Sequence, residues 1–369
     1  MKSISALFLI SASLSFGQQD QFEKWDLNKD GKLSKNELPK PLQKNFAKVD
    51  TNRDGSISKE EHKAFRSRNP RPQAKAPENI TISSDLSYAA NDNPRQTLDL
   101  YLPRLSEKTS TTKPLPVIVF IHGGAWRAGD KRSGLGRLAP FVASGNYAGI
   151  SIGYRLTNEA QWPSQIHDCK AAIRWIRANA KKHNLDPGKI AVWGSSAGGH
   201  LVAMLGTSGE VEALEGKIGP HLDQSSRVDA VINFFGPSEI LTMGDHPSSM
   251  DHNAPDSPES ILLGGPVLEN KELARSASPI THITKDDPPI LNVHGTADRL
   301  VPYPQSVTFH QKLIAAGVSS NLITITEGGH GNFGQATPQV NGVVSAFLSK
   351  YLLADKSVNI TNQEFQTKP

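Results

Sequence analysis

Lys189-Ile190-Ala191-Val192-Trp193-Gly194-Ser195-Ser196-Ala197-Gly198-Gly199-His200-Leu201-Val202-Ala203-Met204-Leu205 is the stretch from which the fold is read. A short β-favouring run ends at a glycine-rich turn, and the turn opens directly into an apolar stretch of helical character. Gly-x-Ser-x-Gly between strand and helix makes a very tight turn that lifts the serine hydroxyl clear of a sheet. Side chains at Gly194 and Gly198 would collide with neighbouring backbone there. A helix that starts beside Ser196 also aims backbone N–H groups at any negative charge developing near its hydroxyl.

Working outward, the same alternation recurs from about Ile80. Thr97–Leu102 alternates apolar and polar as a strand does, and Pro116–Ile121 is a continuous apolar run of the kind buried on both faces. Ala148–Ile152, Val228–Phe235, Pro289–Val293 and Leu322–Thr326 read as further strands. Gln165–Lys182 carries Ile166, Ala172, Ile173 and Ile176 at helical spacing, and helices are expected over Pro304–Ala316 and Thr337–Leu352. Strands alternating with helices predict an α/β fold, a mainly parallel sheet with helices on both faces.

A serine hydroxyl needs a base, and the base needs an orienting carboxylate. Behind the turn, Pro289–Val293 runs into His294-Gly295-Thr296-Ala297-Asp298-Arg299, which places Asp298 in the loop at the end of a core strand, where such sheets bind ligands. The next strand leads to Glu327-Gly328-Gly329-His330-Gly331, whose glycines let His330 reach over the serine. Ser196, Asp298 and His330 follow in the chain order of an α/β-hydrolase triad. Asp168 and Asp186 precede the turn and break that order; Asp168, opening a helix, reads as structural. His294 reads as a packing or hydrogen-bonding residue at its strand end. Upstream, Phe120-Ile121-His122-Gly123-Gly124-Ala125-Trp126 closes an early buried strand. Its Gly124 and Ala125 N–H groups, with that of Ala197, are the expected oxyanion donors, Gly123 being the alternative for one of them. His122 braces this loop. Trp126 either walls an acyl or aromatic group or packs in the core.

The 369 residues are 37% hydrophobic and 21% charged with a net charge of +4, which fits a globular chain with a full core and does not point to nucleic acid. Lys2, the apolar run Ile4–Ile10 and the small residues up to Gly17 read as a secretory signal, too short an apolar run to span a bilayer. The chain is therefore expected to be exported, periplasmic or extracellular, with no membrane span. One cysteine, Cys169, excludes an intrachain disulfide and reads as a small core residue. Between the strands Val228–Phe235 and Pro289–Val293 lies a polar, Pro-rich insertion, read either as a cover over the pocket or as a variable surface loop.

Directly after the signal, Phe22–Glu37 recurs as Phe46–Glu61. Each copy matches D-x-[DN]-x-[DN]-G-x5-E in full. Oxygen ligands fall on Asp26, Asn28, Asp30 and Glu37, and on Asp50, Asn52, Asp54 and Glu61, with the backbone carbonyls of Lys32 and Ser56 at the seventh position. A hard Ca²⁺ ion takes six to eight such oxygens. Gly31 and Gly55 allow the sharp bend, and Leu33 and Ile57 pair between the loops. A structural Ca²⁺ is expected here and no cofactor for catalysis. The organisation read is a signal over 1–17, the repeat pair over 18–66, a basic linker over 67–79, a catalytic domain over 80–354 and a frayed tail over 355–369.

His122-Gly123-Gly124-Ala125-Trp126, Gly194–His200, His294–Asp298 and Gly329-His330-Gly331 resemble the bacterial esterase/lipase branch of the α/β-hydrolases. That branch is similar to hormone-sensitive-lipase-type esterases and to bacterial feruloyl and acetyl-xylan esterases. Gly153-Tyr154-Arg155-Leu156 and the stretch Asp168–Asn179 share the likeness, which covers roughly Ile80 to Leu353. The N-terminal repeat resembles an EF-hand pair. The resemblance implies a serine carboxylesterase acting on a small ester or an esterified polysaccharide, with acetyl or feruloyl groups the expected acyl parts. Gly-Gly-Ala-Trp departs from the third glycine of many relatives and also resembles kynurenine-formamidase-like amidases. An amidase or peptidase on the same triad, or a calcium-dependent binding protein with an inactive hydrolase domain, are the alternative readings. Protein or polysaccharide contact through the repeat pair belongs to the same set of expectations.

Overall fold

The computed structural model describes Phe22 and residues 25–38, 42–68, 77–104, 113–209 and 211–368. The expected signal sequence and the middle of the linker, residues 69–76, lie outside the described residues. Contacts divide the chain into two compact units, the smaller within Phe16–Lys75 and the larger over Ala76–Pro369.

The larger unit is built on a nine-stranded sheet. Its strands are β1 (Ile80–Ser87), β2 (Thr97–Pro103), β3 (Leu115–Ile121), β4 (Ala148–Ile152), β5 (Leu185–Ser195), β6 (Ala230–Phe234), β7 (Ile290–Gly295), β8 (Ser320–Thr326) and β9 (Gln363–Gln366). They lie in the order β9-β8-β7-β6-β5-β3-β4-β2-β1. β2 pairs antiparallel with both β1 and β4, and every other neighbouring pair is parallel. The expected α/β fold is therefore present.

Period-two alternation splits the core into two layers. On β3, Val117, Val119 and Ile121 face the layer that holds α2 (Ser164–Ala178), α3 (Ala197–Thr207) and α4 (Pro304–Ala315). Ile118 and Phe120 face the opposite layer, with α1 (Leu135–Ala143) and α5 (Thr337–Leu352). Cys169 sits fully buried in the first layer, and burial holds its thiol well above the usual range, as befits a core residue.

The tail is a correction. Its polarity predicts a frayed end, yet Gln363–Gln366 pairs in parallel with Ile323–Thr326 and extends the sheet as its edge strand. Ile360 and Phe365 supply the apolar contacts that seat it. A four-residue edge strand with alternating exposure gives too little hydrophobic signal to be recognised in sequence.

The insertion after β6 is packed against the sheet edge. Ser238 donates to the Gln305 carbonyl at 2.7 Å, Trp162 N–H to the Leu262 carbonyl at 2.9 Å, and Ser249 N–H to the Arg299 carbonyl at 2.7 Å. Its own Met243, Leu262 and Val267 are buried. In the smaller unit, Lys32–Leu33 pairs antiparallel with Ile57–Ser58, and the Leu33–Ile57 register is the expected one. Phe22, Leu33, Leu38, Val49 and Ile57 form its core.

Candidate active site

The turn after β5 holds Ser196 at φ 57°, ψ −124°, a strained conformation for a residue with a Cβ. Two features fix it. Ser196 N–H donates to the Phe234 carbonyl at 2.9 Å, and the buried helix α3 begins at the next residue. A Cβ on Gly194 would overlap the Gly198 carbonyl, and one on Gly198 would overlap the Ile121 and His122 carbonyls, so both glycines are required by close approach. Ala197 is the first residue of α3, where a backbone N–H has no intrahelical partner.

β5, β6, β7 and β8 run parallel and end at the same sheet edge, which brings Ser196, Phe235, Asp298 and His330 to one side. His330 Nδ1 bonds Asp298 Oδ2 at 2.7 Å. The other carboxylate oxygen, Oδ1, accepts from the N–H groups of Leu300 at 2.8 Å and Val301 at 3.0 Å. Burial opposes ionisation of Asp298, but hydrogen bonds from His294 and His330 outweigh it and hold the carboxyl well below its usual range. The ring of Phe235 lies 4.5 Å from that of His330, so the residue after Phe234, whose carbonyl holds Ser196, also backs the imidazole.

The loop after β3 meets this edge. A Cβ built on Gly123 would lie 3.3 Å from the Ser196 Cβ, so Gly123 is the loop glycine that abuts the serine. Gly124 has φ 120°, and Ala125 and Trp126 have φ near 53° and 56°, a run of left-handed residues that bends the loop sharply. Its carbonyl at Gly124 accepts from Ala128 N–H at 2.9 Å. Trp126 is buried and packs in the core. Its Nε1 donates to His200 Nδ1 at 3.1 Å, and His200 Nε2 faces the Ala277 carbonyl at 2.7 Å. The indole can only donate, so His200 carries its hydrogen on Nε2 and is neutral. His200 thus ties the loop to α3 and to the segment before β7. The sequence reading did not assign it this role; its signal was an imidazole one turn after the serine on an apolar helix. His122 braces the loop as expected, stacked on Tyr154 at 4.4 Å with Nδ1 2.8 Å from the Gly123 carbonyl. Asp168 is structural, forming a buried bidentate pair with Arg155 and accepting from Gln96.

His122 and His200 also make a prediction. Burial pushes both down to about 4 from an ordinary 6.5. A histidine depressed in the folded state contributes stability that is complete above its unfolded value and is lost as pH falls from 6.5 towards 4. Each is worth on the order of 3 kcal/mol across that window. The melting temperature is expected to fall steeply over it, and the deficit of H200Q relative to the unmodified chain should shrink on acidification. Calorimetry from neutral pH downward checks this; a deficit constant with pH contradicts it.

In the repeat pair, the expected ligands line two loops that bend at Gly31 (φ 80°) and Gly55 (φ 84°). Their carboxylates are engaged by the loops themselves. Asp26 accepts from Asp30 and Gly31 N–H, Glu37 from Leu27 and Ser34 N–H, and Glu61 from Thr51, Asn52 and Ser58 N–H. These amide bonds pull Glu61 down to about 2. Among the described residues no three His, Cys, Asp or Glu side chains converge closely enough to hold a metal ion. The donor set is nonetheless all oxygen, and Asp50 Oδ1 is buried with no hydrogen-bond partner, which fits a hard cation in the second loop. Asn28, Asp30, Asn52 and Asp54 sit on the exposed rims, linked by short-range bonds such as Asn52 to Asp54, and Ser56 is half-buried beside them.

Known proteins resemble this chain along both of its parts. The BD-FAE family model matches residues 98–313, more than half of the chain, a TAP-like protein model matches residues 271–357, and an EF hand model matches residues 19–40 and 42–65. Esterase LipC of Mycobacterium tuberculosis is 34% identical over 242 residues, covering 65% of this chain and 58% of its own length. Among solved structures, a truncated form of a carbohydrate esterase from gut microbiota is 34% identical with a TM-score of 0.67, covering 75% of this chain and 99% of that one. A bifunctional GH43-CE of Bacteroides eggerthii is 34% identical with a TM-score of 0.64, over 72% of this chain and 35% of that one. The chain spans about half the length of the curated relatives it matches. With a family model over most of the catalytic unit and the sheet, serine turn and acid–base loops of that fold in place, the chain belongs to the BD-FAE family of α/β-hydrolase esterases, with an EF-hand region at its N-terminus.

Proposed function

We propose that this chain is an exported carboxylic ester hydrolase in which Ser196 is the nucleophile, His330 the general base and acid, and Asp298 the residue that orients His330. The single observation that carries the reading is the Asp298–His330 bond at 2.7 Å on the same sheet edge as the strained Ser196 turn. Because Nδ1 of His330 is committed to Asp298, Nε2 is the nitrogen left for substrate protons. Ser196 Oγ attacks the ester carbonyl carbon and passes its proton to His330 Nε2. The oxyanion rests on the backbone N–H groups of Ala197, Gly124 and Ala125, with Gly123 against the serine. His330 then protonates the departing alkoxide and the acyl group stays on Ser196. Water, deprotonated by His330, releases the acid and restores the serine.

Carbohydrate esters are the substrates proposed, with acetyl or feruloyl as the acyl group; the support is the likeness to a protein described as a carbohydrate esterase. Export is supported by the charged, apolar and small-residue pattern of residues 1–17. No helix among the described residues is long and apolar enough to cross a membrane. The test is a panel of p-nitrophenyl acetate, methyl ferulate, acetylated xylan and N-formylkynurenine. Turnover of acetyl or feruloyl esters supports the reading. Turnover of the formamide alone would replace it with an amidase.

Ca²⁺ is proposed for the N-terminal loops, held by Asp26, Asn28, Asp30, the Lys32 carbonyl and Glu37, and by Asp50, Asn52, Asp54, the Ser56 carbonyl and Glu61. Its part is to neutralise clustered carboxylates and stabilise a core of only a few apolar side chains. Chelation is expected to lower the melting temperature of the full chain and leave turnover of p-nitrophenyl acetate unchanged. An identical melting profile with and without chelator contradicts this role.

A further inference from the structure

The mechanism above leaves one buried imidazole unused that touches its machinery. His294, the fifth residue of β7, is fully buried. Its Nε2 lies 3.2 Å from Asp298 Oδ2, the same oxygen that His330 holds, and 2.9 Å from the Val301 carbonyl. Its Nδ1 lies 2.7 Å from Ser306 Oγ in the first turn of α4. We propose that His294 is a positioning residue for Asp298: a second imidazole, held by Ser306 and the Val301 carbonyl, whose Nε2 contact fixes how the carboxylate faces His330.

Hydrogen-bond bookkeeping supports this. Nε2 meets two acceptors, a carboxylate and a carbonyl, so it carries a hydrogen. Ser306 Oγ at Nδ1 and the Val301 carbonyl at Nε2 hold both ring nitrogens in place. The ring itself cannot tilt freely. Tyr303 packs edge-on at 5.7 Å and Phe235 at 6.3 Å, and Phe235 also backs His330. The groups facing it are therefore Asp298 and Val301 from the acid loop, Tyr303 and Ser306 from the start of α4, and Phe235 from the end of β6. Packing alone between two aromatic rings needs only an apolar side chain. A buried side chain that hydrogen-bonds Ser306 and the Val301 carbonyl and lies 3.2 Å from the Asp298 carboxylate is placed for its polar nitrogens.

Two imidazoles on one oxygen give a directional expectation. Asp298 Oδ1 is already anchored by two amides, so the contact from His294 sets the angle and the charge that Oδ2 presents to His330. Without that donor, Oδ2 keeps more negative charge for His330, which then holds its proton more firmly while being less well aimed. The acid limb of the pH profile moves up and the turnover number falls.

The test measures kcat and KM across the acid limb for the unmodified chain, H294F, H294Q and S306A, with the competent serine counted in each by phosphonate titration. H294F is expected to lose about 10- to 100-fold in kcat at nearly constant KM, with the limb displaced upward. H294Q keeps a donor near Nε2 and should recover most of that loss; S306A should show a smaller loss in the same direction. Equal impairment of H294F and H294Q, or limbs that do not move in H294F and S306A, would overturn the assignment. Should H294F fail to fold, the contrast between H294Q and S306A decides on the same criteria. The inference rests on the proposed triad. Full activity in S196A would remove both, whereas an inactive S196A with unmoved limbs would remove the inference alone.

Discussion

Ser196→Ala is expected to lower ester turnover by about 10⁴- to 10⁶-fold while leaving the fold intact. The size follows from the chemistry, because without Oγ there is no acyl intermediate and only binding and the oxyanion donors remain to accelerate attack by water. Retention of the fold follows from what surrounds the residue. Gly123 packs against the Cβ, which alanine keeps. The bond from Ser196 N–H to the Phe234 carbonyl belongs to the backbone and is also kept. The strained φ of 57° is imposed by the β5–α3 connection and is no harder for alanine than for serine. Circular dichroism and melting temperature should therefore match the parent while p-nitrophenyl acetate turnover collapses. A variant that retains more than about 1% of the rate is incompatible with nucleophilic catalysis at this position.

Asp298→Asn is expected to cost roughly 10³- to 10⁴-fold, mostly in kcat. The amide can still offer an oxygen to Leu300 and Val301 N–H, so the loop keeps its shape. What it then presents to His330 Nδ1 is an NH₂ donor, which favours the tautomer with the hydrogen on Nε2 and leaves no lone pair there to accept the serine proton. The charge is lost as well. The folded state holds Asp298 ionised below the ordinary carboxylate range, so its contribution to stability is present above that range and disappears only as pH falls through the depressed folded value. The asparagine variant should therefore melt below the parent at neutral pH, and the gap should close as pH falls below the carboxylate range. Kinetics on one ester, with melts at neutral and acid pH, check both parts. A fall in kcat of less than about tenfold would contradict the orienting role.

How much of this was legible beforehand depends on where each signal is local. The serine turn was readable because five consecutive positions must meet sterically: Gly194 and Gly198 have backbone where a Cβ would go. Buried strands such as Leu115–Ile121 were readable because both faces are apolar. The order Ser196, Asp298, His330 follows from the topology, since β5, β7 and β8 deliver their loops to one edge. Elements that depend on distant partners were not readable. β1 has mostly exposed or half-buried side chains and is a strand because β2 lies beside it, and β9 is a strand because β8 offers an open edge. The same holds for side chains. Trp126 stood between pocket and core until its Nε1 was seen to meet His200, 74 residues away in sequence. His294 read as a strand-end residue because nothing in its neighbourhood reveals that Asp298, His330 and Ser306 gather around it.

Covalent labelling reads out whether Ser196 is the group that attacks the ester carbonyl with His330 as its base. The full chain is incubated with a phosphonate ester, its intact mass is measured, and the modified residue is located by peptide mapping. One adduct per chain on Ser196 is predicted, formed in step with loss of ester turnover, absent in S196A and slowed in D298N. Adducts on another residue, or ester turnover that survives full modification of Ser196, would contradict the account.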